Sequence, residues 1–124
     1  MIAIKSECVI GIVGIRMQLI VGHMGETLPF MMSRVDTMTP EVTRLQHPVS
    51  HYLRNHLHYT FAGFNFTPTF VDLLLQVGAE RIMFSADYPY GSMAEARAFL
   101  EKLPVSPADR ERIAHGNAES LLGL

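Results

Sequence analysis

The chain has 124 residues, of which 48% are hydrophobic and 18% charged, with a formal net charge of −2. This length suits one domain with a core of its own, and the composition excludes a disordered chain. The near-neutral charge balance lacks the electrostatic footprint of a nucleic-acid-binding protein, and the lone Cys8, unable to pair internally, fits a reducing cytoplasm.

Residues 8–15 form a short apolar run behind Lys5 that loosely resembles a signal peptide. Glu7 and Arg16 interrupt that pattern, no small-residue cleavage site follows, and the run is too short to span a bilayer. It reads as a buried strand or as a lead-in segment. Gln18-Leu19-Ile20-Val21 is the first firm strand, an apolar run of the kind that fills a parallel sheet. A helix is predicted over 27–38, with Pro29 in its first turn and Leu28, Met31, Met32 and Val35 on one face. Pro40 and Pro48 bracket a less regular segment. Ser50 is placed to cap a short helix through Asn55, and residues 57–61 read as the second strand.

Thr67-Pro68 predicts a helix start, a side-chain cap followed by proline at the first helical position. Phe70, Val71, Leu74, Leu75 and Val77 supply its apolar face, and Gly78 closes it. Residues 81–84 form the third strand. Ser92 to Glu95 has capping-box spacing and opens a helix through Lys102. Ser106-Pro107 opens another that is predicted to end at Gly116, after which Asn117 caps a last helix to Leu122. This alternation predicts an α/β fold of parallel strands with helices outside. A closed (β/α)8 barrel needs eight strands and about 250 residues. Three strands, with a fourth candidate at 8–15, amount to about half of one.

Two strand ends carry chemistry. His23 and Glu26, in Val21-Gly22-His23-Met24-Gly25-Glu26, stand where a strand gives way to a helix, and Asp87, in Phe84-Ser85-Ala86-Asp87-Tyr88-Pro89, occupies a second such junction. In a parallel sheet these ends share one face, so the three side chains can converge. An imidazole shuttles protons near neutral pH, a carboxylate beside it orients it, and an aspartate is a suitable hard ligand for a divalent cation. Spacing alone leaves other readings open. Gly22-His23-Met24-Gly25 also fits a plain turn, Asp87 an Asx turn, and Glu26 a first-turn acid favoured by the helix dipole.

The remaining histidines offer weaker patterns. His56-Leu57-His58 has strand spacing but falls at the start of its strand, opposite the expected site. His47 and His51 are separated by Pro48, and His115 reads as a helix C-terminal cation.

Three segments together resemble the amidohydrolase-related (amidohydrolase 2) family, which includes aromatic-acid decarboxylases. They are residues 19–36, with the Gly22-His23-Met24-Gly25-Glu26 motif; residues 78–89, with Ser85-Ala86-Asp87-Tyr88-Pro89; and residues 113–119, with His115-Gly116-Asn117-Ala118. The resemblance runs from about residue 17 to the end, leaving 1–16 as a divergent or truncated lead-in. It implies the C-terminal part of a metal-dependent TIM barrel, with Asp87 as metal ligand, His23 handling the proton and Glu26 as its partner. Phe84 and Tyr88 are implied near the pocket, and Asn117 as a structural cap. The implied metal is divalent, zinc first and manganese second, with an incomplete ligand set in this chain.

The reaction implied first is non-oxidative decarboxylation of an aromatic or conjugated carboxylic acid. Hydrolysis of a lactone or amide on the same scaffold is the second, and an inactive assembly module the third. A small carboxylic acid is the expected partner, without nucleic acid or membrane. The family's other ligands come earlier than anything residues 1–16 contain, so the chain is expected to be inactive unless it forms a homo-oligomer or pairs with a missing N-terminal half. Metal content and light scattering separate the enzyme from the module.

Overall fold

Three short apolar segments pair into one parallel sheet in the order β1-β2-β3 in the computed structural model, which describes residues 18–124. β1 is Leu19–Val21, β2 is Leu57–Thr60 and β3 is Ile82–Met83. Leu19 pairs with Leu57 and Val21 with Tyr59, while Tyr59 and Thr60 pair with Ile82 and Met83. The candidate strand at 8–15 lies outside the described residues. Strand side chains alternate between faces, so Tyr59 and Phe61 point one way and His58 the other.

The face carrying Tyr59 and Phe61 meets the helices. Tyr59, Phe61, Phe70, Leu73 and Ile82 are fully buried there. Phe61 stands edge-on to Phe70, Phe84 and Phe99, with ring centroids 6.0, 6.1 and 5.4 Å apart. Each such pair adds about 0.5–1.5 kcal/mol beyond its buried area.

Helix α1 spans Leu28–Val35, shorter than the 27–38 expected, with Pro29 and Met32 buried and Phe30 turned to solvent. Pro40–Thr43 forms a single turn, α2, which the proline bracketing did not suggest. In α3, Val49–Asn55, Ser50 is not the cap: it lies inside the first turn behind Pro48. Asp36 takes the capping role from a distance, accepting from the Ser50 N–H at 2.8 Å and from the Ser50 hydroxyl. Arg54 extends the tie, donating to the Ser50 hydroxyl and, through Nε and Nη2, to the carbonyl and side-chain oxygens of Gln76. α4, Thr67–Val77, begins one residue earlier than a Thr67 cap would have it, with Phe66 at the cap.

α5, Met93–Glu101, has the expected cap, the Ser92 hydroxyl accepting from the Glu95 N–H at 3.3 Å. Ser106 caps α6, Pro107–Glu111, in the same way through Asp109. Gly116 does not end the helical run, and Asn117 does not cap a new one. A wide π turn over Arg112–Gly116 continues directly into α7, Asn117–Leu122, with Gly116 and Asn117 both right-handed. The Asn117 amide instead donates to the carbonyls of Ala79 and Ile82, both at 2.8 Å, and the Phe84 N–H donates to the Ile113 carbonyl at 2.8 Å. The C-terminal run is thereby fastened to β3. His115 consequently sits mid-run beside Glu119, at 3.1 Å, rather than at a helix end.

Candidate functional site

The loops that leave the three strands share an unusual backbone. His23, Met24 and Glu26 follow β1 with φ of 50°, 53° and 55°; Ala62 follows β2 with φ 47°; Asp87 follows β3 with φ 58°. Left-handed conformations are uncommon outside glycine and cost on the order of 1 kcal/mol or more each. Elsewhere among the described residues only Arg44 shares this property outside glycine. Strain concentrated at one end of a sheet is the pattern of a working site.

The β1 loop shows what this backbone achieves. It turns Met24 inward, where the side chain is fully buried in the core. His23 and Glu26 on either side are left facing outward. Gly25 fits because a Cβ there would stand 2.8 Å from the Tyr59 ring, on a backbone with φ 79°. Tyr59 is itself fixed, its hydroxyl donating to the Leu53 carbonyl at 2.7 Å, and burial pushes that phenol up to about 12.

The three expected polar side chains meet. His23 Nδ1 lies 2.9 Å from Glu26 Oε1, and His23 Nε2 lies 3.7 Å from Asp87 Oδ2. They open onto a cleft of about 350 Å³ that Phe64 and Tyr90 also line. Exposed imidazole–carboxylate pairs add little stability, so this alignment is no stability device. With Glu26 accepting at Nδ1, Nε2 is the nitrogen left to face the cleft.

Phe84 and Tyr88 are not among the residues lining this cleft. The Phe84 ring packs on Phe61 in the core, and Tyr88 is 78% exposed. The reason is the turn after Asp87: the Gly91 N–H donates to the Asp87 carbonyl at 2.7 Å, bringing Tyr90 rather than Tyr88 to the cleft. A Cβ on Gly91 would stand 1.9 Å from the Ala86 carbonyl oxygen, so the closure requires glycine. Sequence reading also missed Ser85, whose hydroxyl accepts from the Ala62 N–H at 2.8 Å and joins the β2 and β3 loops. The Ser85 signal was present in its place, two residues before Asp87; for Phe64 the signal was its aromatic ring just past a strand end.

The other histidines stay away. His47 and His51 stack with ring centroids 4.2 Å apart near α3, His56 closes α3, and His58 is buried at the start of β2. Among the described residues no three His, Cys, Asp or Glu side chains are grouped to hold a metal ion. Asp87 and the Nε2 of His23 give two donors facing one space, against the three protein ligands usual in catalytic zinc centres. No helix among the described residues is long and apolar enough to cross a membrane.

Residues 16–124 match the amidohydrolase family. The chain is 35% identical over 113 residues to a gamma-resorcylate decarboxylase of Polaromonas sp., an alignment covering 87% of this chain and 35% of that protein. The structure of a dihydroxybenzoic acid decarboxylase from Polaromonas sp., with bound manganese and the inhibitor 2-nitroresorcinol, matches with a TM-score of 0.77 and 33% identity, over 86% of this chain and 34% of that one. The 5-carboxyvanillate decarboxylase of Sphingomonas paucimobilis matches with a TM-score of 0.81 and 30% identity, over 88% and 34%. The chain spans about a third of the length of the curated relatives it matches.

Proposed function

The chain belongs to the amidohydrolase family, and from that premise we propose that it supplies the proton-handling part of a centre for non-oxidative decarboxylation of aromatic carboxylic acids. The observation that carries this reading is His23, held at Nδ1 by Glu26 with Nε2 turned to Asp87 across an aromatic-walled cleft. Relatives that are decarboxylases of hydroxylated benzoates support the substrate class and favour it over lactone or amide hydrolysis.

Loss of CO₂ from such an acid replaces a carboxylate with a proton. The ring carbon bearing the carboxylate takes the proton, the bond to the carboxylate breaks, and its electron pair restores the aromatic ring. His23, as imidazolium, donates that proton from Nε2, while Glu26 stabilises the positive ring through Nδ1. Phe64 and Tyr90 offer faces against which a substrate ring can lie. Asp87 suits a divalent cation as one hard donor, to be completed by ligands beyond the described residues. Such a cation would neutralise the substrate's oxygens and orient them. The manganese of the Polaromonas relative makes Mn²⁺ the first metal to test, with Zn²⁺ second.

We place the protein in the cytoplasm on its single cysteine. A homo-oligomer is the assembly proposed, because Leu19 and Ile20 of β1 are about half exposed, at 49% and 53%, and leave apolar sheet surface uncovered. The test is CO₂ release from 2,6-dihydroxybenzoate and related ortho-hydroxy acids by the full chain with Mn²⁺. Turnover that collapses in His23→Asn supports the reading. No release from any acid of the panel, or release indifferent to His23, overturns it.

A further inference from the structure

The cleft that holds His23 borders a second hollow, between the start of α1 and the start of α4. This hollow measures about 510 Å³, against about 350 Å³ for the cleft. Glu26 and Phe64 line both spaces and form the sill between them. Both are open to solvent, Phe64 at 41% exposure and the Glu26 side chain at 69%, so a ligand can lie across the sill. The Phe64 ring is backed by Phe66, stacked on it with centroids 6.4 Å apart and planes 20° from parallel. Pro29, Phe30 and Pro68 give the hollow apolar walls. Phe30 is 76% exposed, although Pro29 and Met32 on the same helix are buried. Contiguous exposed apolar side chains mark binding surfaces, and the proton transfer proposed above makes no use of Phe30 or Pro68.

The order of groups around His23 decides which end of a bound acid reaches the hollow. Asp87 stands on the Nε2 side of the imidazole and Glu26 on the Nδ1 side. An acid with its carboxylate toward Asp87 and its ring carbon at Nε2 extends toward Phe64 and Glu26. The ring position para to the carboxylate then faces the hollow. Resting on the decarboxylase reading, we propose that the hollow is a subsite for an apolar substituent at that position. The preferred substrates are then 2,6-dihydroxybenzoates with a short alkyl chain at position 4. Each methylene withdrawn from water is worth about a threefold gain in affinity. The hollow does not touch the breaking bond, so the gain falls on KM and leaves kcat unchanged. Glu26 and Asp72 line the hollow without a lysine or arginine among them. A substituent with a second carboxylate meets two like charges there and is rejected.

The test is CO₂ release by the full chain with Mn²⁺ from 2,6-dihydroxybenzoate and its 4-methyl, 4-ethyl, 4-propyl and 4-carboxymethyl derivatives. KM should fall about threefold with each added alkyl carbon, and the 4-carboxymethyl acid should be poorer than the unsubstituted one. Thr69 lines the hollow and not the cleft, so Thr69→Phe fills the subsite and should flatten the alkyl series. The ratio of the 4-propyl to the unsubstituted acid reports this whatever fraction of the variant folds. Release from 2,6-dihydroxybenzoate without dependence on chain length overturns the subsite and leaves the decarboxylase reading standing. So does a dependence that Thr69→Phe leaves intact. No release from any acid sinks that reading instead, and binding then decides the subsite. In that case 5-propylresorcinol should bind more than about tenfold tighter than resorcinol, with NMR shifts at the Phe30 and Phe64 rings. Equal affinities overturn the proposal.

Discussion

The two ends of the parallel sheet hold the same residue type in opposite conditions. At the outgoing end, His23 is half exposed, partnered by Glu26 and carried on left-handed backbone. At the incoming end, His58 is buried, sits on regular strand backbone, and has the Arg81 guanidinium 3.4 Å from its Nε2. Cost is distributed differently as a result. The outgoing end carries strain in the main chain and leaves its side chains open to the cleft. The incoming end has a relaxed main chain and places its penalty in one polar atom, the buried His58 Nδ1, which has no hydrogen-bond partner among the described residues.

The sharpest way to break this contrast is through catalysis. His23→Asn should lower CO₂ release about 10²–10⁴-fold, the usual share of a positioned acid or base. Urea denaturation of the same variant should differ by less than about 1 kcal/mol, because an exposed pair adds little stability. Next is Gly91→Ala, which forces a Cβ onto the Ala86 carbonyl and should destabilise the fold by about 3 kcal/mol, read by the same denaturation. At the outgoing end, then, glycine matters to stability and the charged groups do not.

At the incoming end Asn117→Ala strips two donors from the Ala79 and Ile82 carbonyls and should cost about 2 kcal/mol. The smallest effect is a pH slope. Burial, with the Arg81 charge second, depresses His58 in the folded state, so the unfolded chain binds the proton more readily near 6.5. Its contribution is full above 6.5 and is lost as pH falls through the folded value. Wild-type unfolding free energy should decline over that window, and His58→Gln should flatten the decline. Asp36 obeys the same sign in a lower window. The Ser50 hydroxyl, then its N–H, hold Asp36 below its ordinary 3.8, so that contribution is lost only in stronger acid.

Much of this was legible from one-dimensional pattern. The strand–helix rhythm located all three strands within a residue or two, since buried parallel strands are short apolar runs whatever surrounds them. The meeting of His23, Glu26 and Asp87 followed from strand ends sharing a face. What escaped was long-range or compensatory. Ser50 and Asn117 are good local caps, but Asp36 and the carbonyls near β3 claim them from 14 residues and more than 30 residues away. Gly116 reads as a helix stop, yet the π turn carries the run through it. Tyr88 lost its place to Tyr90 through one hydrogen bond inside a five-residue turn, a register that composition does not encode.

The inward seat of Met24 has a consequence for rate. Loops that carry catalytic groups often have to become ordered when substrate arrives, and that ordering subtracts from binding. Here the imidazole is mounted on a turn whose central side chain belongs to the core and whose glycine abuts the fixed Tyr59 ring. On the proposed function, aligning the imidazole is finished when the chain folds, so an arriving acid would meet a preset donor and have no loop to organise.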